Sequence, residues 1–144
     1  MWKSIGKYTA IAIVTTIPFV IISANFGFIS GAPPNVVTIF NSSIFILSWI
    51  LVSLIMGYIK GLHFLIFIAL YWSVLLGISF VVINNPDAPL ILLPLFFMIS
   101  PFYGSEYFLN LSIELLLSLY ASLFIIICFL GFCLKKVRYN RSKA

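Results

Sequence analysis

Charged residues are scarce in this sequence. Asp, Glu, Lys and Arg together make up 8% of its 144 residues, whereas a soluble globular domain carries about 25%. Hydrophobic residues account for 63%, and no segment is polar enough to fold separately in water. The low charge argues against an ordinary soluble domain and predicts a single integral membrane domain over residues 1–144.

The sequence is also poor in the side chains from which catalytic and metal sites are built. It contains three acidic residues, two cysteines and one histidine, and they form no cluster of the kind that zinc requires. No P-loop, nucleophile-elbow, metalloprotease or C-x-x-C pattern occurs. We expect a non-enzymatic protein with no metal and no cofactor. The less favoured reading, a membrane enzyme, would need Asp87, Glu106 and Glu114 to act together on one side of the membrane.

Long apolar runs are abundant instead. Four of them, at about 8–28, 36–59, 64–83 and 113–134, contain almost no charge. A helix of about 20 apolar residues spans the roughly 30 Å hydrocarbon core of a bilayer. The predicted fold is therefore an all-α membrane protein, a bundle of four transmembrane helices, in which Trp49 and Trp72 lie deep enough to pack between helices.

The first apolar run has a second interpretation. A basic start, an apolar centre and the sequence Ile22-Ser23-Ala24 also fit a cleaved signal peptide. Ile22 is large for a cleavage site, and the apolar run continues beyond it, so an uncleaved first span is favoured. Within this span, Pro18 lacks a backbone donor and predicts a kink, which makes it a candidate hinge.

The basic tail at 135–144 determines the expected orientation. Of the eight Lys and Arg residues, five lie there: Lys135, Lys136, Arg138, Arg141 and Lys143. Basic flanks stay on the cytoplasmic side during insertion, so four spans place both termini in the cytoplasm. The tail is also expected to contact anionic membrane lipid. The positive charge sits at segment ends and forms no patch with interleaved aromatics, so nucleic acid is not an expected partner.

The segment from Leu90 to Tyr103 is apolar but too short for an ordinary span, and Pro94 and Pro101 interrupt it. Short broken segments of this kind are typical of interfacial or re-entrant structure. If it crossed the membrane as a fifth span, with the N-terminus kept inside, the charges of the tail would be translocated. We therefore expect it to lie between spans three and four without crossing.

Small residues spaced four apart allow transmembrane helices to approach closely. Ser53 and Gly57 form such a pair in span two, and Ser73 and Gly77 form one in span three. Because the Lys60–His63 turn is short, these two faces are expected to meet. The alternative is that they form the interface of a homo-oligomer.

Glu114 is the carboxylate at the edge of a predicted span, and Ser118 and Ser122 follow it on the same helical face. Ionisable groups at membrane depth are costly and often functional. Asn41 is expected near the same membrane surface and is a candidate hydrogen-bond partner. Three roles for Glu114 are compatible with this face: a plain interfacial carboxylate, a structural hydrogen bond inside the bundle, or a proton-carrying group.

These features favour a small protein of the bacterial cytoplasmic membrane that acts through a protein or lipid partner, as an accessory subunit or an immunity-type protein. The alternative is a small oligomeric transporter or channel with a polar pathway near Glu114 and Asn41. The bias towards Ile, Phe, Asn and Lys and the short loops point to the bacterial membrane.

Overall fold

A computed structural model of the protein describes residues 2–28, 33–84 and 99–141, which are helical nearly throughout. The long helices are α1 (Trp2–Ser23), α2 (Val36–Lys60), α3 (Leu62–Asn84) and α5 (Ile113–Arg141), and the short helix is α4 (Tyr103–Leu109). One π-helical turn, Ala24–Phe28, continues α1, and a 3-10 turn, Ser100–Phe102, precedes α4. Each long helix contains a stretch long and apolar enough to cross a membrane. The predicted all-helical fold with four candidate spans is confirmed.

Local sequence sets both ends of α2. The Thr38 backbone N–H donates to the Asn35 side chain at 3.0 Å, and the Asn35 backbone N–H donates to the Thr38 hydroxyl at 2.9 Å. This reciprocal capping box satisfies donors that the first turn leaves unpaired. At the other end, Gly61 has a backbone φ of +62°, an angle that residues with a Cβ rarely adopt. The tight turn at Gly61 makes α2 and α3 antiparallel.

Contacts between the helices give their directions. The Trp49 ring lies 5.9 Å from that of Phe124, and further along both helices the Lys135 ammonium donates to the Ile59 carbonyl. Helices α2 and α5 are therefore parallel. The Tyr8 ring contacts Phe64 at the start of α3, so α1 runs in the same direction as α3.

The starts of α1 and α3 and the ends of α2 and α5 consequently share one end of the bundle. We call it the basic end, because it carries Lys7, Lys60, Lys135, Lys136 and Arg138. The opposite end is called the acidic end and carries Glu106 and Glu114. Helix α3 finishes and α5 begins at the acidic end.

An aromatic core fills the space between α2, α3 and α5. We define it by Phe45, Trp49, Trp72, Phe102 and Phe124, all of which are at most 2% exposed. The two indole rings meet edge to face at 5.2 Å, an arrangement that aromatic quadrupoles favour. The two tryptophans thus pack between helices, as the sequence predicts.

Among the long helices, a close approach of two backbones joins α2 to α5, and not α2 to α3 as the spacing of small residues suggests. A Cβ at Gly57 would overlap the backbone carbonyl of Cys128, and a Cβ at Gly131 would overlap that of Leu54. Ser73 and Gly77, in contrast, lie on the exposed surface of α3. The reason is the size of the α3 side chains, because Trp72 rests on Trp49 and keeps the backbones of α2 and α3 apart.

The 3-10 turn and α4 pack against the inside of the bundle at its acidic end. Residues 99–102 are buried, and the Phe102 ring lies 4.9 Å from Phe45 and 5.8 Å from Trp72. The Gly104 backbone N–H donates to the Ser42 hydroxyl at 2.9 Å. The remainder of the Leu90–Tyr103 prediction, residues 90–98, lies outside the described residues. Lys143 of the basic tail lies outside them too.

Candidate functional site

Asn41 lies inside the bundle and joins α2 to α1. Its side chain is 4% exposed, and its amide nitrogen donates to the Phe19 carbonyl at 2.9 Å and to the Ser23 hydroxyl at 2.8 Å. Ser23 is completely buried. Asn41 was a candidate hydrogen-bond partner of Glu114, but its amide N–H groups are directed at α1. Asn41 is thus placed as a structural link between two helices.

The polar face of α5 is directed away from the interior of the bundle. Ser118 and Ser122 are exposed, and their hydroxyls donate to the backbone carbonyls of Glu114 and Ser118, each at 2.8 Å. Glu114 itself is half-buried in the first turn of the helix. The inward side of α5 carries apolar residues such as Leu117 and Ala121. These described side chains therefore do not assemble an internal polar pathway.

The acidic end holds a second carboxylate close to a phenol. Glu106 is exposed on α4, three residues after the half-buried Tyr103. Burial and the negative charge of Glu106 raise the pKa of the Tyr103 phenol above its ordinary value. The phenol therefore remains neutral near pH 7, so it can donate a hydrogen bond but is a poor general base.

Pro18 lies inside α1, which continues as an α-helix to Ser23. Its ring is exposed. The hydroxyl of neighbouring Thr15 donates to the Ile11 carbonyl at 2.7 Å, a local bond of the kind that adjusts helix geometry. A hinge at Pro18 stays a prediction.

The aromatic core carries buried donors without acceptors. Within the described part of the chain, the indole nitrogens of Trp49 and Trp72 and the hydroxyls of Ser53 and Ser100 have no hydrogen-bond partner. A buried unpaired donor costs about 1–3 kcal/mol. The five aromatic residues that define the core include no ionisable side chain, so the core offers packing and hydrogen-bond donors but no acid–base chemistry.

Metal-ligating side chains are dispersed over the described ranges. No group of three or more His, Cys, Asp or Glu residues comes together there. Cys128 is buried, Cys133 is half-buried, and both are free thiols. His63 is exposed at the start of α3.

A groove of about 670 Å³ lies between α1 and α3. The two helices touch through Tyr8, whose ring lies 5.3 Å from Phe64 and 5.5 Å from Phe67. Beyond that contact the groove is open to the surface. We call it the α1–α3 groove. The residues that line it are Ser4, Ile5, Tyr8, His63, Ile66, Phe67, Leu70, Tyr71, Val74 and Leu75.

The groove combines apolar walls with a polar mouth. Ile66, Leu70 and Val74 are each more than half exposed, although they belong to a helix apolar enough to cross a membrane. Ser4 and His63 line the part nearest the basic end. From His63 to Leu75 the α-helical rise gives roughly 18 Å, comparable to one leaflet's share of the roughly 30 Å hydrocarbon core. This shape suits an extended hydrocarbon chain with a polar group at one end.

The described basic residues of the tail lie where α2 and α5 end together. The Lys135 ammonium donates to the Ile59 carbonyl at 2.9 Å, and the Arg138 guanidinium donates to the Tyr58 hydroxyl at 2.8 Å. Lys136 is exposed, and Arg141 is the last residue of α5. The described part of the tail therefore continues α5, and two of its side chains are hydrogen-bonded to α2.

Comparisons with protein-family models, with curated proteins and with solved structures find no match to this chain. Its function must therefore be argued from its own residues.

Sequence reasoning missed two elements of this arrangement. Gly131 is the single glycine within residues 113–134, and that position in an otherwise bulky helix was a usable signal for close packing. The α1–α3 groove left no such signal, because it depends on how far two helices stand apart and not on any residue type.

Proposed function

We propose that this protein acts without catalysis, as a small membrane protein whose partner is a phospholipid held in the α1–α3 groove. The observation that carries the proposal is the groove itself, with its apolar walls, its lateral opening and its polar mouth. A surface groove inside the hydrocarbon region is filled by lipid in a bilayer. Here its length suits one acyl chain. Ser4 and His63 offer hydrogen-bonding groups to the polar part of the lipid at the end of that chain.

The proposal includes an orientation. The described basic residues share one end of the bundle, and basic flanks remain on the cytoplasmic side. We infer that the basic end faces the cytoplasm of a bacterial cell, with both termini on that side. The bound phospholipid then belongs to the inner leaflet of the cytoplasmic membrane, with its head group near His63 and its acyl chain along Leu70 and Val74.

The segment between α3 and α5 completes the topology. We propose that Leu90 to Tyr103 enters the bundle from the acidic end and returns to it as a re-entrant segment. The buried positions of residues 99–102 support this, because Phe102 contacts Trp72 near the middle of α3. The last residues of α3 and the first residues of α5 both lie at the acidic end of the bundle, which also supports a re-entrant segment.

A lipid partner is favoured over the two other functions that the sequence allows. A transport pathway near Glu114 and Asn41 has little support, since Ser118 and Ser122 are exposed and the amide of Asn41 is bonded to α1. For a larger protein partner, as for an accessory subunit or an immunity-type protein, residues 2–28, 33–84 and 99–141 show no feature as specific as the groove.

Native mass spectrometry of the protein released from mild detergent tests the proposal. We expect the unaltered chain to retain phospholipid, and Leu70→Trp to retain one molecule fewer, because an indole there occupies the groove. Leu51→Trp is the matched control, since Leu51 is similarly exposed, at 57% against 61% for Leu70, but lies on α2. Both variants should keep the thermal stability of the parent.

Retention of an unchanged number of phospholipid molecules by Leu70→Trp would contradict the proposal. So would a lipid-free chain that always co-purifies with one larger protein, because that result assigns the partner to the protein class.

A further inference from the structure

A second opening, of about 420 Å³, lies on the other side of the bundle, where α2 and α5 end. We call it the basic cleft. It shares no residue with the α1–α3 groove. The residues that line it are Tyr58, Phe132, Lys135, Lys136, Arg138 and Tyr139.

Two hydrogen bonds fix the cations of the basic cleft. The Arg138 guanidinium is tied to the Tyr58 hydroxyl at 2.8 Å, and the Lys135 ammonium is tied to the Ile59 carbonyl at 2.9 Å. The second bond satisfies a carbonyl at the end of α2, where a cation is also favoured by the helix dipole. A guanidinium has five N–H donors and an ammonium has three. Each cation therefore keeps further donors after its bond within the protein.

The positive charge of the cleft has no carboxylate to balance it among the described residues. Glu106 and Glu114, the described acidic side chains, both lie at the acidic end of the bundle. Lys136 adds a third, exposed cation to the cleft. Three cations around one opening create a positive potential that favours an anion with several acceptor oxygens.

The level of the cleft identifies the source of that anion. The candidate span of α2 ends at Lys60, two residues beyond Tyr58. Apolar side chains remain exposed beside the cleft, among them Ile59, Leu134 and Val137. The cleft thus lies at the boundary between the apolar surface and the basic end, where the phosphates of membrane lipids are found.

We propose that the basic cleft binds the phosphate group of an anionic phospholipid, with Arg138, Lys135 and Lys136 as the donors. Phe132 and the Tyr58 ring supply the apolar contact for the part of the lipid next to the phosphate. This site is independent of the lipid in the α1–α3 groove, because different helices form it.

The test measures lipid binding to the purified full-length chain by native mass spectrometry, in the Leu70→Trp background so that groove-bound lipid does not contribute. Phosphatidylglycerol and phosphatidylcholine are added separately. We expect phosphatidylglycerol to bind more tightly. Lys136→Gln should weaken its binding about fivefold, the effect of one basic residue near an anionic surface, and should leave phosphatidylcholine unchanged. Both hydrogen bonds of the cleft survive this substitution, so folding is not at issue.

Two further variants separate a built site from diffuse attraction. Lys7→Gln removes the same charge from the basic end but outside the cleft, and it should change phosphatidylglycerol binding less than about twofold, since a single exposed charge is screened beyond roughly 10 Å in 0.1 M salt. Tyr58→Phe keeps every charge but frees Arg138, and it should reduce the preference for phosphatidylglycerol by at least about twofold, the effect of one lost hydrogen bond.

Equal losses in Lys7→Gln and Lys136→Gln would overturn the proposal in favour of non-specific attraction. Equal binding of the two lipids would overturn it as well. Inorganic phosphate is added as a competitor in the last experiment. If millimolar phosphate displaces phosphatidylglycerol completely, the cleft binds a soluble anion and the lipid assignment is wrong. Failure of these tests would leave the groove experiment unaffected, because that experiment compares the lipid retained by Leu70→Trp with the lipid retained by the unaltered chain.

Discussion

At the scale of single residues, the amide of Asn41 joins α1 and α2 through two hydrogen bonds in a buried setting. Asn41→Ala leaves the Ser23 hydroxyl and the Phe19 carbonyl without this donor. We expect a loss of about 1–3 kcal/mol in the free energy of unfolding, the usual cost of leaving buried polar groups unpaired. Thermal unfolding in detergent measures the change.

Asn25→Ala is the control, because the exposed amide of Asn25 donates only to the Ile21 carbonyl of its own helix. It should change the unfolding temperature little. Equal destabilisation by the two substitutions would show that the link between helices contributes nothing beyond a local bond.

The sequence identified the important polar residues at this scale but not their directions. Glu114, Ser118 and Ser122 do lie along one face, because helical spacing fixes that relation. Which way the face points depends on the rotation of the whole helix, which the buried Leu117, Phe124 and their neighbours determine. Asn41 lies on α2, within the second predicted span, but its contact with α1 depends on packing that spacing alone does not encode.

At the scale of elements, hydropathy predicted where the membrane helices are but not where every helix ends. The second span was expected at 36–59 and the helix is Val36–Lys60, since Asn35 and Gly61 supply a cap and a turn. The last span was expected at 113–134, whereas α5 continues to Arg141. Lys and Arg are good helix formers, so the helix persists beyond the apolar stretch that the prediction followed.

The pairing of elements was the least predictable feature. A short turn makes α2 and α3 neighbours in sequence, yet a close backbone contact joins α2 to α5 through Gly57 and Gly131. Small residues permit close approach, but the large rings on the facing helix decide whether it occurs. Trp49 and Trp72 prevent it between α2 and α3.

The α2–α5 contact leads to a prediction about this pair of helices. Gly57→Ala places a methyl group against the Cys128 backbone, which cannot move aside as a flexible side chain can. We expect a loss of about 1–3 kcal/mol in the free energy of unfolding, as is typical of overpacking. Differential scanning fluorimetry in detergent provides the measurement.

Gly77→Ala tests the same substitution on an open surface. A Cβ there meets nothing within 4 Å, and alanine is the better helix former by about 1 kcal/mol. It should be neutral or stabilising. A stable Gly57→Ala protein would mean that α2 and α5 stand further apart than described.

At the scale of the whole molecule, two single cysteines test the proposed orientation, because basic and acidic side chains lie at opposite ends of the bundle. A cysteine at Glu106, in a chain whose Cys128 and Cys133 are replaced by alanine, should react with an impermeant thiol reagent added outside intact cells. A cysteine at Lys136 should react only after the membrane is permeabilised. The physical reason is the preference of basic flanks for the cytoplasmic side.

Reaction of the Lys136 cysteine from outside would invert the orientation. Reaction of both cysteines from the same side would contradict the assignment of the basic and acidic ends to opposite membrane surfaces.

Photo-crosslinking in membranes shows directly whether a phospholipid lies between α1 and α3. A phospholipid with a diazirine on its acyl chain is incorporated, illuminated and mapped by peptide mass spectrometry. We expect adducts concentrated on the groove residues Ile66, Leu70 and Val74. Adducts of equal yield on Leu51 and Ile55, which are similarly exposed on α2, would show that lipid contacts the protein everywhere alike and would contradict a bound lipid.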